Sequence, residues 1–265
     1  MSETILEYGA PPVNEVVVGV RFDPIASLAI PHFGLFWDEV RSAFPRTEHA
    51  APLATEAGFV PLDASTGAPI PRVWFVSGSG NEVIQLQTNM FVYNWRQADD
   101  GGEYPRFVYI LAQFRRLYDQ WKAFVRRELD VDVHVTTAEL GYINAIPIGQ
   151  GWKSWGELGE LFPDFRWGKQ PRYLPSPSQS VFQLVFPMPA TGDRLIVRMN
   201  PAKFKKDNTE IVRLELTARH DFDGEDDLLV EDWLRMAREW IVRGFADVTS
   251  EAVQRSIWLR EEPDA

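Results

Sequence analysis

The sequence predicts an α+β protein made of two related β-α-β(hairpin)-α halves, each an antiparallel sheet covered by a long helix. Three observations predict it. Short β-branched and aromatic runs with period-two alternation recur between Pro- and Gly-rich breaks. Two long stretches carry apolar residues at helical spacing, and the order of elements in residues 1–130 returns in 131–265. Residue types agree as well as order. WDEVRSAFP (37–45) and WGELGELFP (155–163) share Trp, Glu, Phe and Pro at identical offsets, with apolar residues replacing one another between them. The expectation is an internal duplication, with domains 1–130 and 131–265 meeting in one compact body.

NEVVVGVRF (14–22), bounded by Pro12 and Pro24, reads as a strand with Val16, Val18, Val20 and Phe22 on one face and Glu15 and Arg21 on the other. HFGLFWDEVRSAF (32–44) follows as a helix on Phe33, Phe36, Trp37, Val40 and Phe44, stopped by Pro45. Residues 46–71 read as a loop. RVWFVSGSGNEVIQLQ (72–87) is a hairpin turning on Ser-Gly-Ser-Gly-Asn. Its second run is apolar at Ile84 and Leu86, whereas the next rings are Phe91, Tyr93 and Trp95. That slip from even to odd positions would expose one set on a regular strand, so a bulge or tight turn is required near Asn89. After Pro105, residues 106–129 form a helix with Phe107, Ile110, Leu111, Phe114, Leu117, Tyr118, Trp121, Phe124 and Val125 on one stripe.

The second half repeats this order. Residues 133–147 read as a strand, 154–162 as a short helix and 164–180 as a long Pro/Ser loop. VFQLVF and DRLIVRM flank a Pro/Gly turn, and EIVRLELTAR (210–219) is an alternating strand. A helix over 227–248 rests on Leu229, Trp233, Ala237, Trp240, Ile241, Phe245 and Val248, and SEAVQRSIWLR holds a short last helix.

Composition narrows the function classes. At 265 residues, 45% hydrophobic and 13% aromatic, the chain has ample material for a packed core. Its 38 Asp and Glu outweigh 27 Lys and Arg, and a net charge of −11 repels a polyanion, so nucleic-acid coating is disfavoured unless a local basic stripe overrides it. Without cysteine there is no disulfide, thiolate nucleophile or Cys-ligated metal. No basic leader precedes an apolar run, and no apolar stretch approaches membrane-spanning length, so the expectation is a soluble, unexported, cytoplasmic protein that does not engage a membrane.

Catalytic signatures are sparse. His32, His49, His134 and His220 lack metal-ligand spacing and read as caps or surface groups, so neither metal nor cofactor is expected. SGSGNE leads into a strand and lacks the Lys-Ser/Thr of a phosphate loop. Two polar constellations stand out. Glu15 and Arg21 share the non-core face of the first strand, and Arg213, Glu215 and Arg219 share that of the 210–219 strand: either anion or amide recognition across a common cleft, or cross-strand ion pairs on a solvated sheet face. In QTNMFVYNWRQ (87–97) the three rings read as core, which leaves Asn94 and Arg96 facing elsewhere. By the same alternation Tyr142 and Asn144 share a strand face, so the four would line a groove between the halves. On the 106–129 helix, Arg115, Lys122 and Arg126 form a stripe that either meets phosphates or is a solvated face with internal acid–base pairs.

The strings PPVNEVVVGVRF, FWDEV, LQTNMFVYNWRQ, ELGYINAI and the terminal W…GFADVTSEA…W resemble a prokaryotic family named for its sporadic distribution among genomes. The resemblance runs nearly end to end, and Pro11-Pro12, Asn94-Trp95-Arg96 and Tyr142-Ile143-Asn144 are its most specific pieces. It implies a bacterial or archaeal cytosolic protein of patchy occurrence, in keeping with mobile or defence-associated genes, and it brings no activity, cofactor or catalytic residue.

These observations lean away from an enzyme and toward a binding or regulatory protein that acts through a protein partner or a small ligand, held by Asn94, Arg96, Tyr142, Asn144, Arg21, Arg213 and Glu215. Two rivals stay open. One is a nucleic-acid-associated factor using the basic stripe, and the other an enzyme with Glu139, Glu215 or His220 as its acid–base group.

Overall fold

The computed structural model describes residues 6–54, 58, 60–63, 66–98, 102–167, 171, 173–222 and 227–261. In chain order its elements are β1 (Val13–Phe22), α1 (Ile30–Val40), β2 (Arg46–Ala50), β3 (Arg72–Val76), β4 (Glu82–Gln87), β5 (Met90–Arg96) and α2 (Arg106–Leu129). Then come β6 (Val135–Pro147), a 3-10 turn (Trp155–Glu160), β7 (Phe182–Met188), β8 (Asp193–Lys203), β9 (Glu210–Asp221), α3 (Asp227–Val248) and α4 (Glu251–Ser256). The strands form an antiparallel sheet in the order β2-β3-β4-β5-β1-β6-β9-β8-β7, so the protein is of mixed α+β class. Two compact units divide the chain. The first comprises Met1–Asn14, Gly141–Arg219 and Trp233–Ala265, and the second Glu15–Leu140 and His220–Asp232. They are named below for their meanders, β7–β9 and β3–β5.

In the β3–β5 unit the parity slip has a simple cause. β4 and β5 are the arms of a hairpin that turns on Thr88 and Asn89, with Gln87 opposite Met90, Leu86 opposite Phe91 and Ile84 opposite Tyr93. Across a two-residue turn each residue faces one of opposite parity, so even positions on β4 and odd positions on β5 share a face. β1 continues that face, with Val16 opposite Trp95, Val18 opposite Tyr93 and Val20 opposite Phe91. All of these side chains are buried. The Phe91 ring centroid stands 6.0 Å from Phe114 and 5.4 Å from Tyr118 on α2, and Phe36 of α1 lies 5.0 Å from Trp121 and 6.2 Å from Phe75. Every residue of the expected α2 stripe is buried. The helix ends on Asp130 in the left-handed region (φ 52°), whose N–H donates to the Arg126 carbonyl at 3.2 Å.

Local details depart from expectation for physical reasons. α1 spans 30–40 rather than 32–44, because Pro31 enters its first turn and the chain tightens after Val40, whose carbonyl accepts from both Ala43 and Phe44. Trp37 is half-buried rather than core, and its indole N–H donates to the Phe44 carbonyl at 3.0 Å. His32 caps as expected: its Nδ1 accepts the Ala29 N–H at 3.0 Å. The 46–71 segment is not all loop. RTEHA pairs with β3 as β2, a polar edge strand with no apolar alternation to betray it.

In the β7–β9 unit, Leu195, Val197 and Met199 of β8 stand opposite Ala218, Leu216 and Leu214 of β9, all buried. α3 lies close on them. A Cβ added to Gly244 would stand 2.7 Å from Leu195 Cδ2, and the Trp233 indole donates to Asp193 at 2.8 Å. The buried stripe of α3 runs through Val230, Trp233, Leu234, Ala237, Ile241 and Phe245, whereas Leu229, expected inside, is 45% exposed. Where a helix over 154–162 was expected, Trp155–Glu160 form a 3-10 turn. Trp155 and Leu158, three apart, are its buried residues, and Gly156 and Gly159 lower its α-helical propensity. α4 closes the unit: Phe245 rings contact Tyr8 and Trp258 at 5.6 and 5.0 Å, and Gln254 Nε2 donates to the Ala246 and Thr249 carbonyls.

Candidate ligand-binding face

Alternation that buries the rings of β5 must present its other side chains together, on the opposite face of the β3–β5 unit. Across the strands on that face, Glu15 stands opposite Arg96, Val17 opposite Asn94, and Arg21 opposite Met90. One row runs Gly19, Val92, Gln85, Trp74. Gly19 is required there, because a Cβ would stand 2.9 Å from Val92 Cγ2.

A chain of hydrogen bonds orders the centre of this face. Gln85 Nε2 donates to Asn94 Oδ1 at 2.7 Å, and Asn94 Nδ2 donates to Glu15 Oε1 at 2.6 Å, with both amides buried. Gln87 is pinned through its Nε2 to the Leu53 carbonyl (2.9 Å) and to Asn89 Oδ1 (2.9 Å), while its Oε1 accepts the Leu53 N–H (2.8 Å). Arg96 reaches the β3–β4 turn, where its Nε donates to the Gly80 carbonyl at 2.8 Å. Asn94 and Arg96 are therefore both held in place, one in an amide chain and the other as a brace on a turn.

One end of the face is not satisfied. The Arg72 guanidinium lies 5.3 Å from the centre of the Trp74 ring. Arg72 Nε and Trp74 Nε1 are buried N–H donors with no acceptor among the described residues, and Arg72 has no ion pair there. Burial first, then the like charge of Arg21, lowers the Arg72 pKa. A guanidinium whose buried Nε has no acceptor among the described residues, beside an indole N–H with none, is a local excess of donors that an anionic or carbonyl oxygen would relieve.

The other candidates fall out differently. Tyr142 and Asn144 belong to the β7–β9 unit, both buried, and Asn144 Nδ2 donates to the Leu214 carbonyl at 3.2 Å. In the same unit Arg213 and Glu215, two apart on β9, form an ion pair with each other, and Arg198 Nε donates to Gln183 Oε1 at 2.6 Å. The cations of the α2 stripe are all partnered: Arg115 with Glu231 (3.4 Å), Lys122 with Asp119 (3.1 Å), and Arg126 with Asp130 and Asp132 (3.3 Å each). The His220 ring stands edge-on to Phe222 at 4.3 Å.

Sequence reasoning missed Arg72, Trp74 and Gln85. The signal was present: in RVWFV the buried Val73 and Phe75 leave Arg72 and Trp74 on the opposite side, and the hairpin turn puts Gln85 beside Trp74. Among the described residues no group of three or more His, Asp or Glu is placed to hold a metal ion, and no helix is long and apolar enough to cross a membrane. The chain matches no family model and no curated protein.

Proposed function

We propose that this is a binding protein whose ligand or partner docks an oxygen-rich, anionic group on the polar face of the β3–β5 unit, at Arg72, Trp74 and Arg21. The observation that carries the reading is the pair of buried N–H donors without acceptors, Arg72 Nε and Trp74 Nε1, next to an ordered amide chain. Buried donors are satisfied in native proteins with few exceptions, and an unmet pair aimed at one patch is an explanation for a ligand. The role is regulatory rather than catalytic in this reading. The amide chain ends on Glu15, already bonded to Asn94, which suits recognition better than proton transfer. The ion-paired α2 stripe lends no support to nucleic-acid binding, since its cations have their anions at hand. The resemblance to the sporadically distributed family suits a role in a mobile or defence-associated setting in the cytoplasm.

The duplication belongs to the same reading. Each half builds a three-stranded meander whose last strand lies beside the half's first strand (β3-β4-β5 beside β1, β7-β8-β9 beside β6), and a long helix follows each meander. On that view the two meanders are copies, and the first has specialised its polar face.

Native mass spectrometry on protein purified gently from its host tests the proposal. Wild type should carry a companion protein or a small bound mass that Arg72→Gln, equally well folded, does not carry. A bare wild-type particle, or one whose companion survives Arg72→Gln, would overturn it.

A further inference from the structure

The β7–β9 unit holds a cavity of about 380 Å³ between α3 and the β7–β8 hairpin, lined by Phe186 and Leu195 from the strands and by Trp240, Gly244 and Val248 from the helix. That volume lies within the range of small-ligand sites. Its shape follows from sequence. Gly244 lets the helix approach until a Cβ would collide with Leu195, and one turn before it Trp240, which heptad logic would bury in the core, is only half-buried. Phe186 also keeps 38% of its surface exposed. Two aromatic rings thus border an apolar hollow that the chain itself does not fill.

The charges at the rim have a sign. Glu239 and Arg243 cancel, with Arg243 Nε donating to Glu239 Oε1 at 2.9 Å. Asp247, one turn further along α3, is exposed and has neither hydrogen bond nor ion pair among the described residues. An apolar hollow lined by two aromatic rings, with one carboxylate beside it that has no ion pair among the described residues, selects a particular chemistry: an ammonium group on an apolar body, its charge met by Asp247 and its body by the rings of Trp240 and Phe186.

We propose that this cavity is a binding site for a small organic cation, a primary amine carried on an aromatic or branched aliphatic group. The site lies within the β7–β9 unit and does not depend on the polar face of the other unit.

Isothermal titration calorimetry with 2-phenylethylammonium, and with 3-phenylpropanoate as the matched anion, tests it on the full chain. Wild type should bind the ammonium saturably in the millimolar range or tighter, and the anion at least about tenfold more weakly. Asp247→Asn, a change at an exposed position that should leave the melting temperature unchanged, should weaken ammonium binding by about tenfold, and Trp240→Leu should weaken it as well. No saturable binding by a folded wild type, equal binding of the anion, or undiminished binding by Asp247→Asn would each overturn the proposal. Arg72→Gln should bind the ammonium as wild type does, so the outcome separates this site from the polar face.

Discussion

The two faces of β5 are made from one run of seven residues and solve opposite problems. Phe91, Tyr93 and Trp95 are buried on one side among the rings of α2 and the valines of β1. Val92, Asn94 and Arg96 stand on the other, where Asn94 joins an amide chain and the neighbouring strands bring Arg72, Trp74 and Arg21. The ring face packs apolar surface on apolar surface, with the Tyr93 hydroxyl donating to Glu82 at 2.5 Å and the Trp121 indole N–H buried among the rings without an acceptor among the described residues. The polar face is complete at its centre and incomplete at its Arg72 end. On the reading proposed above, the two unmet donors at that end await an acceptor that folding does not supply.

The largest break in this comparison is on the ring face. Phe91→Ala should cost ~3–5 kcal/mol, because it opens a cavity against Phe114 and Tyr118, and a lowered urea midpoint would register it. Smaller, and dependent on pH, is the contribution of buried tyrosines. Burial, then the hydrogen bond to Glu82, raises the Tyr93 pKa, and in the other unit burial pushes that of Tyr8 up to about 12. A tyrosine that keeps its proton longer when folded stabilises fully below the unfolded pKa near ~10, and that stability is lost as pH rises through the folded value. Tyr8 alone contributes on the order of 2 kcal/mol, fading between pH 10 and 12. Alkaline unfolding should therefore begin above about pH 10, and Tyr8→Phe should make it shallower; an unchanged titration would contradict the assignment.

Opposite in sign is the polar face. Arg72→Gln removes a cation that faces another cation and leaves a buried N–H unmet, so thermal stability should hold or rise by ~0.5 kcal/mol while ligand capture is lost. A marked loss of stability would show Arg72 to be a structural residue. The smallest effect belongs to α2. Lys122→Gln should shift stability by less than ~0.5 kcal/mol and leave retention on a phosphate resin unchanged, since Lys122 is paired on the surface with Asp119.

Much of this was legible in the chain. Period-two alternation sorted Phe91, Tyr93 and Trp95 from Asn94 and Arg96, and the slip between Leu86 and Phe91 announced the Thr88–Asn89 turn. Helical periodicity marked all nine buried residues of α2. The losses have physical causes. β2 is polar on both faces, so nothing in RTEHA signals its pairing with β3. Leu229 and Trp240 fit a helical stripe by spacing, but which arc of α3 is buried depends on packing against Leu195 and Leu216. The candidate face was half legible: Asn94 and Arg21 were read onto it from their own strands, whereas Arg72 and Trp74 join it only through register across β3, β4 and β5, which a single strand does not encode.

The central claim, that the polar face rather than the helical side meets the partner, is tested most directly by a photo-crosslinking amino acid placed in the host at Val17, between Glu15 and Gly19 on that face, and at Val108, 71% exposed on α2. The account predicts an adduct of defined mass from position 17 that disappears with Arg72→Gln, and none from position 108. Adducts from position 108 alone, or from both positions alike, would contradict it.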